Sequence, residues 1–302
     1  MKVVPAAVCF ALASSFAWFP DLACAQSDDF DDGNDTGWTR LHPLGSQGVS
    51  ATFSFPNGNT YRLEADPSPN EELLGQSRLG SLREDVTYTD FYQFIDIVDF
   101  DDALDQNIGM LARVSDPGLG TLDGYGVTFN PTDQAIFFTV ITNEEGENLA
   151  DADAFVDFGE PVRLVFEGKG TQFRFQVFLL TDLVTPVASL EVTDSTYASG
   201  HSGIFVVTDG ADPHLPVDVT YDNYFAAVEK PTGFEICSFE IEDGQLIFEF
   251  LSEPGQQYSL WESDDLRIWD ENQDSIEADL GEKTTFTMPK PDVMRRFYQF
   301  RR

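Results

Sequence analysis

Apolar and polar residues alternate with period two along most of the chain, the pattern of half-buried strands. The alternation runs through Ala51-Thr52-Phe53-Ser54-Phe55, Asn107 to Val114, Gly126 to Phe129, Arg163 to Phe166, Phe173 to Phe178 and Gly203 to Val207. These stretches are rich in Val, Ile, Phe and Thr and are bounded by Gly, Pro, Asn and Asp, so each predicts a β-strand. A helical period is nearly absent, the best candidate being a single turn near Asn70 to Leu74. Many strands with no helices between them predict an antiparallel sandwich or barrel.

The pattern breaks at Glu229-Lys230-Pro231-Thr232-Gly233, a short polar run with the Pro and Gly of a linker. Beyond it, strands are predicted at Ile236–Glu242, Leu246–Leu251, Tyr258–Glu262, Thr284–Thr287 and Phe297–Phe300. The expected organisation is therefore a large sandwich over residues 26–228, a linker over 229–233 and a small immunoglobulin-like or fibronectin-like sandwich over 234–302. Residues 1–25 read as a secretory signal peptide: Lys2 is followed by an apolar run from Val3 to Phe19, and Ala23-Cys24-Ala25 supplies the cleavage pattern. Pro5, Pro20 and Asp21 leave that run short for a bilayer span, and Asp21 stands where a lipobox has an aliphatic residue. The expectation is a secreted protein, extracellular or periplasmic, with no membrane span. Of the 3 cysteines only Cys237 outlasts the signal, so stability must come from a core or a metal rather than an internal disulfide.

Charge narrows the partners. The 302 residues include 53 Asp and Glu against 17 Lys and Arg, a formal net charge of −36. That balance excludes nucleic acid, which needs a basic stripe, and argues against anionic lipid. With 27 Phe the chain is not a disordered acidic polymer. A charge of this size suits a monomer kept soluble in a saline exterior.

Hydrolytic machinery is not recognisable. The sequence has no H-E-x-x-H, G-x-S-x-G or phosphate-binding glycine loop. No strand in the large sandwich carries the alternating E-x-D-x-x-E of jelly-roll glucanases, and Glu240 with Glu242 falls in the small C-terminal unit. An enzyme would need an unfamiliar pair such as Asp96 and His201. A binding site is easier to draw. Phase along Ile108 to Val114 puts Ile108, Met110, Ala112 and Val114 on a core face and Gly109, Leu111 and Arg113 on the other. Arg113, with Tyr125 on the next strand and Asp96 beside it, then forms a glycan platform: the ring stacks on a sugar while the guanidinium and carboxylate bond its hydroxyls. The same Asp96–Arg113 pair can equally be a structural ion pair.

Several stretches resemble one family. Phe30-Asp31-Asp32-Gly33 with Trp38 is similar to the opening strand of concanavalin A-like (laminin G-like) jelly rolls. Gly109 to Arg113 followed by Tyr125 to Phe129 resembles their paired central strands. Tyr197 to Phe205 resembles a late strand, and Val219-Thr220-Tyr221-Asp222-Asn223-Tyr224 the closing one. Pro254 to Trp269 and Arg296-Phe297-Tyr298 resemble a C-terminal β-sandwich module of secreted bacterial proteins. The resemblance implies an all-β, two-sheet antiparallel jelly roll followed by a small Ig-like sandwich. It also implies neighbouring first and closing strands, with a structural calcium between Asp31 or Asp32 and Asp222. Alternation along the opening strand adds Asp29 on the side of Asp31. Calcium takes six to eight oxygens, and one acidic run cannot supply them alone. The functional expectation is a non-catalytic, lectin-like protein that binds a polysaccharide or cell-surface glycan. The alternatives are a glycoside hydrolase or polysaccharide lyase on the same scaffold, and a structural or adhesive surface protein.

Overall fold

A computed structural model describes residues 26–301 apart from 102, 211–213, 231–235, 243, 253–255, 264–267, 280–282 and 292–295. The predicted signal peptide and residues 231–233 of the linker lie outside the described residues. Internal contacts divide the described chain at Lys230, giving a large unit before it and a small one after it. Among the described residues no helix is long and apolar enough to cross a membrane, and the one α-helix spans Glu71–Leu74.

The large unit opens with β1 (Gln26–Asp28), β2 (Thr39–Leu41), β3 (Ala51–Ser54) and β4 (Tyr61–Ala65). Long central strands follow: β5 (Arg78–Tyr88), β6 (Phe91–Phe100), β7 (Gln106–Ser115), β8 (Asp123–Asn130) and β9 (Ala135–Thr142). The rest are β10 (Glu145–Asp153), β11 (Val162–Lys169), β12 (Gln172–Leu179), β13 (Ala188–Thr193), β14 (Gly200–Thr208) and β15 (Val217–Ala227). Sheet I has the order β13-β12-β11-β6-β15-β4-β3, with β1 also paired to β15; sheet II has the order β10-β9-β8-β7-β14-β5-β2. Every pairing is antiparallel. The result is the expected two-sheet jelly-roll sandwich.

Period-two alternation builds its core. Ile108, Met110 and Ala112 of β7, Tyr125, Val127 and Phe129 of β8, and Ile136, Phe138 and Val140 of β9 face inward from sheet II. Ile95 and Ile97 of β6, Val162, Leu164 and Phe166 of β11, and Phe173, Phe175 and Val177 of β12 meet them from sheet I. An aromatic edge crosses between the layers: Phe166 of sheet I packs edge-on against Phe138 of sheet II at 5.7 Å between centroids.

The predicted neighbours β1 and β15 do pair, Asp28 opposite Tyr224. The strand ends at Asp28, however, and Phe30 turns the chain at φ 55°. The acidic opening is therefore a loop of successive Asx turns rather than a strand. Asp28, Asp29 and Asp32 each accept the backbone N–H two residues on, a competition with strand pairing open to short acidic side chains. Asp28 also accepts from the Trp38 indole at 2.7 Å, which fixes Trp38 against Tyr224.

The small unit has β16 (Ile236–Glu242), β17 (Gln245–Leu251), β18 (Gln257–Ser263), β19 (Asp270–Glu277), β20 (Lys283–Pro289) and β21 (Phe297–Arg301). They form two three-stranded sheets, β16-β17-β20 and β19-β18-β21, around Leu246, Phe248, Phe250, Tyr258, Leu260 and Phe300.

Glycines on the outward side of sheet II let its strands lie close. A Cβ at Gly109 would stand 1.8 Å from the Val127 carbonyl oxygen, so Gly109→Ala must part β7 from β8. The variant is expected to lose roughly 2–4 kcal/mol of stability by urea unfolding; a loss under 0.5 kcal/mol would show the sheet more tolerant than this packing allows.

Candidate functional site

Arg113 does not face outward. It sits at a β-bulge with φ 51°, where the pairing of β7 with β8 slips between Ala112 and Ser115 and its pairing with β14 slips between His201 and Gly203. The extra residue inverts the phase of the strand end. Val114 joins Leu82, Leu111 and Leu122 on the outer face, and Arg113 turns inward, 2% exposed. Its guanidinium donates to the carbonyls of Thr89, Tyr197 and Gly170 at 2.7 Å each and lies 4.7 Å over the Phe173 ring. Tyr125 is beside it and fully buried. Burial first, and the Asp194 carboxylate that accepts its hydroxyl at 2.6 Å, push the phenol up to about 12.

Asp96 belongs to the other sheet. The Arg163 guanidinium clasps it at 2.6 and 2.9 Å, and the Asn223 amide donates at 3.0 Å. The predicted Asp96–Arg113–Tyr125 platform is thus corrected: the three residues are split between the sheets and are buried in structural roles. Nor do Asp96 and His201 form a catalytic pair, since His201 is on β14 of sheet II with Nδ1 2.9 Å from the Val86 carbonyl.

The predicted calcium ligands lie near one another without forming a ready ligand set. Asp29, Asp31 and Asp32 are exposed, with Asp29 and Asp32 bonded to their own loop. Asp222 stands opposite Asp96 in the β15–β6 register. Burial, reinforced by the negative charges of Asp96, Asp31 and Asp29, pushes its carboxyl up to about 7. Among the described residues, the three carboxylates whose oxygens come within 4.8 Å of one another are Asp105, Asp133 and Asp209, a group that can hold an ion. Asn130 donates to Asp105 and Asn107 to Asp209, while burial and the other two acids raise the Asp133 carboxyl.

Asp209 also lines a groove of about 460 Å³ across the outer face of sheet II. Strand phase builds it. The residues that alternate with the core positions are Phe137, Thr139 and Ile141 on β9, Thr128 on β8, Asn107 and Leu111 on β7, and Phe205 and Val207 on β14. Gly126 deepens the floor, because a Cβ there would meet the Phe205 ring at 3.2 Å. Arg78 of β5 and Glu144 of the β9–β10 turn close one side, their side chains 2.6 Å apart. That turn has two residues, Asn143 at φ 52° and Glu144 at φ 67°, the signs a type I′ hairpin demands. Glycine is the usual second residue, and Glu144 keeps the place at a backbone cost of about 1–3 kcal/mol. In exchange its carboxylate accepts from Arg78 Nε and from the Gly120 N–H, and its own N–H donates to Leu122. The groove escapes a sequence reading because Ala135–Thr142 carries apolar residues on both faces. Only the outward Phe137 and Phe205, read together with the outward Gly109 and Gly126, mark it.

No family model matches the chain, and no curated protein matches it. The solved structures it resembles are concanavalin A-like jelly rolls. A carbohydrate-binding module of Bacillus subtilis is 18% identical, over 63% of this chain and 93% of the module, with a TM-score of 0.43. A β-1,3-1,4-glucanase (lichenase) from a mouse hindgut metagenome is 14% identical, over 67% and 98% of the two chains, with a TM-score of 0.48. The exoplasmic/lumenal domain of VIP36 in a calcium- and mannose-bound form is 10% identical, over 65% and 85%, with a TM-score of 0.46.

Asp222 gives the large unit a pH dependence of definite sign. Between its ordinary value of 3.8 and about 7, the folded form keeps a proton that the unfolded chain has released. Stability therefore falls as pH rises through that window. Without added metal, Asp222→Asn should raise the melting temperature more at pH 8 than near pH 5; an equal effect at both would contradict the assignment.

Proposed function

We propose that the chain is a secreted, non-catalytic protein that binds a polysaccharide or cell-surface glycan in the groove of sheet II. The observation that carries the reading is the groove's composition: two half-buried phenyl rings, Phe137 and Phe205, on a floor edged by Asn107, Asn148, Thr128 and Thr139. Flat apolar faces stack on sugar rings while amides and hydroxyls orient them, the usual division of labour in a concave ligand site. A monomer suffices, since the groove is lined from within one unit.

The structural calcium stays part of this reading, with Asp222, Asp29, Asp31 and Asp32 as its ligands. A cation there would offset the burial and the neighbouring negative charges that push the Asp222 carboxyl up to about 7. Calcium at pH 8 should then raise the melting temperature of the native chain but not of Asp222→Asn.

Binding is tested by calorimetry against a panel of soluble plant, algal and bacterial polysaccharides. Phe205→Ala and Phe137→Ala should each weaken the best ligand about tenfold, ~1.4 kcal/mol, while Tyr92→Ala on sheet I should not. Equal loss in all three would place binding elsewhere. Release of new reducing or unsaturated ends from the bound polymer would instead make the protein a hydrolase or lyase, with Glu144 and Asp209 as the carboxylates at the groove.

A further inference from the structure

We propose that the Arg78–Glu144 ion pair is a bridge over the groove of sheet II, and that it restricts the site to unbranched saccharide chains entering by an end. The inference rests on the groove being the glycan site. Register carries the geometry. Gly80 of β5, Phe205 of β14, Gly109 of β7, Thr128 of β8 and Phe137 of β9 stand opposite one another in one row across sheet II. The four antiparallel pairings along this row make β5 and β9 run in the same direction. Arg78 lies two residues before the row and Glu144 seven residues after it. On a flat sheet, strand rise would set the two roughly 30 Å apart along the strands, and strand spacing about 19 Å apart across them. No pair of side chains spans that distance, yet these meet at 2.6 Å. The diagonal of the sheet is therefore folded up over its outer face, in the sense that sheet twist allows. The pair passes above β8, β7 and β14, whose outward Thr128, Leu111 and Phe205 form the floor.

Both ends of the bridge are anchored. Arg78 Nη1 donates to the carbonyls of Leu74 and Gln76 at 3.0 and 2.7 Å. The second carboxylate oxygen of Glu144 accepts the Gly120 N–H at 2.6 Å, and the Glu144 N–H donates to the Leu122 carbonyl at 2.7 Å. The approach to β5, the β7–β8 loop and the β9–β10 turn are thereby joined. Both side chains of the pair are largely withdrawn from solvent, 17% and 10% exposed, so salt screens them less than it screens a surface pair.

The backbone supports the assignment of Glu144. A type I′ turn favours glycine at this place, so nothing in the hairpin itself calls for an acid at φ 67°. The carboxylate's two bonds, one to Arg78 and one to the Gly120 N–H, account for it. A saccharide lying on Phe137 and Phe205 has the rings beneath it and the bridge over it. An unbranched chain slides under such a bridge end first. A chain with side sugars on its backbone passes only if the pair breaks, and breaking it leaves two half-desolvated charges without each other. Selection is thus by shape. Removing either partner opens the roof and leaves the stacking rings in place, so the result is a change in preference between ligands rather than a uniform loss.

The test compares dissociation constants, by calorimetry, for unbranched and branched oligosaccharides of the same neutral backbone. The pairs are cello-oligosaccharides with xyloglucan oligosaccharides, manno-oligosaccharides with galactomannan oligosaccharides, and xylo-oligosaccharides with arabinoxylan oligosaccharides. The native chain should bind at least one unbranched series, with its branched counterpart at least about tenfold weaker. Glu144→Gly suits the turn and secures a folded comparison. In it, and in Arg78→Gln, that ratio should narrow about tenfold while the unbranched chain stays within about threefold of its native affinity. The double variant should narrow the ratio no further, because either single change already removes the same bridge. A branched chain bound by the native protein as tightly as the unbranched one overturns the bridge while leaving the groove reading in place. A ratio unmoved in both single variants, or an equal loss for both kinds of chain, does the same. Binding to none of these oligosaccharides also overturns the bridge, and the groove reading falls with it if the wider panel of polysaccharides fails to bind as well.

Discussion

The guanidinium of Arg113 ties together three segments of the sandwich that are distant in sequence. Its donors reach Thr89 in the β5–β6 turn, Gly170 in the β11–β12 turn and Tyr197 ahead of β14, so one side chain satisfies carbonyls from both sheets. Burying an arginine is costly unless its donors are met, and here they are met by backbone. The aromatic rings of Phe91, Tyr125 and Phe173 surround it, and Gly200 must lack a side chain, because a Cβ there would lie 2.2 Å from the Arg113 carbonyl carbon. The bulge that turns Arg113 inward also places Val114 outward, beside Leu111 and Leu122 on the floor side of sheet II. Closure of the core around Arg113 thus follows from one extra residue in β7.

That residue also marks the limit of reading this fold from its sequence. Period-two alternation was enough for the interior strands β8, β11 and β12, whose inward residues are Val, Leu, Phe and Tyr in regular phase. It fails where the phase slips: a bulge leaves no mark in an alternation pattern, so Arg113 reads as outward when it is inward. It fails again at β10, Glu145–Asp153, and β19, Asp270–Glu277, polar strands held by backbone pairing to a single neighbour. The acidic opening fails for a third reason. Asp28, Asp29 and Asp32 cap the N–H groups two residues ahead and fold the run into turns, which local side-chain bonding achieves more cheaply than strand extension.

The candidate site was less legible than the fold. Asp96, Arg113 and Tyr125 each attract notice as polar or aromatic residues on strands, yet each is buried against a partner distant in sequence: Arg163, Gly170 and Asp194. The groove is instead made by residues that look ordinary in a sequence, namely outward Phe, Thr and Asn, and by glycines that let a ring lie flat. Its acidity is local as well as global. A chain with net charge −36 repels polyanions at long range, and the groove itself is lined by Glu144 and Asp209 beside Arg78.

The account's central claim is that the outer face of sheet II, and not sheet I, holds the saccharide. Chemical-shift mapping on the intact, isotope-labelled protein tests this most directly, using whichever neutral polysaccharide binds, cut to oligosaccharides. The account predicts perturbations at Asn107, Thr128, Phe137, Thr139, Glu144 and Phe205, with Tyr92, Asp96, Arg163 and Phe225 unmoved. Shifts centred on the sheet I residues with a silent groove would contradict it.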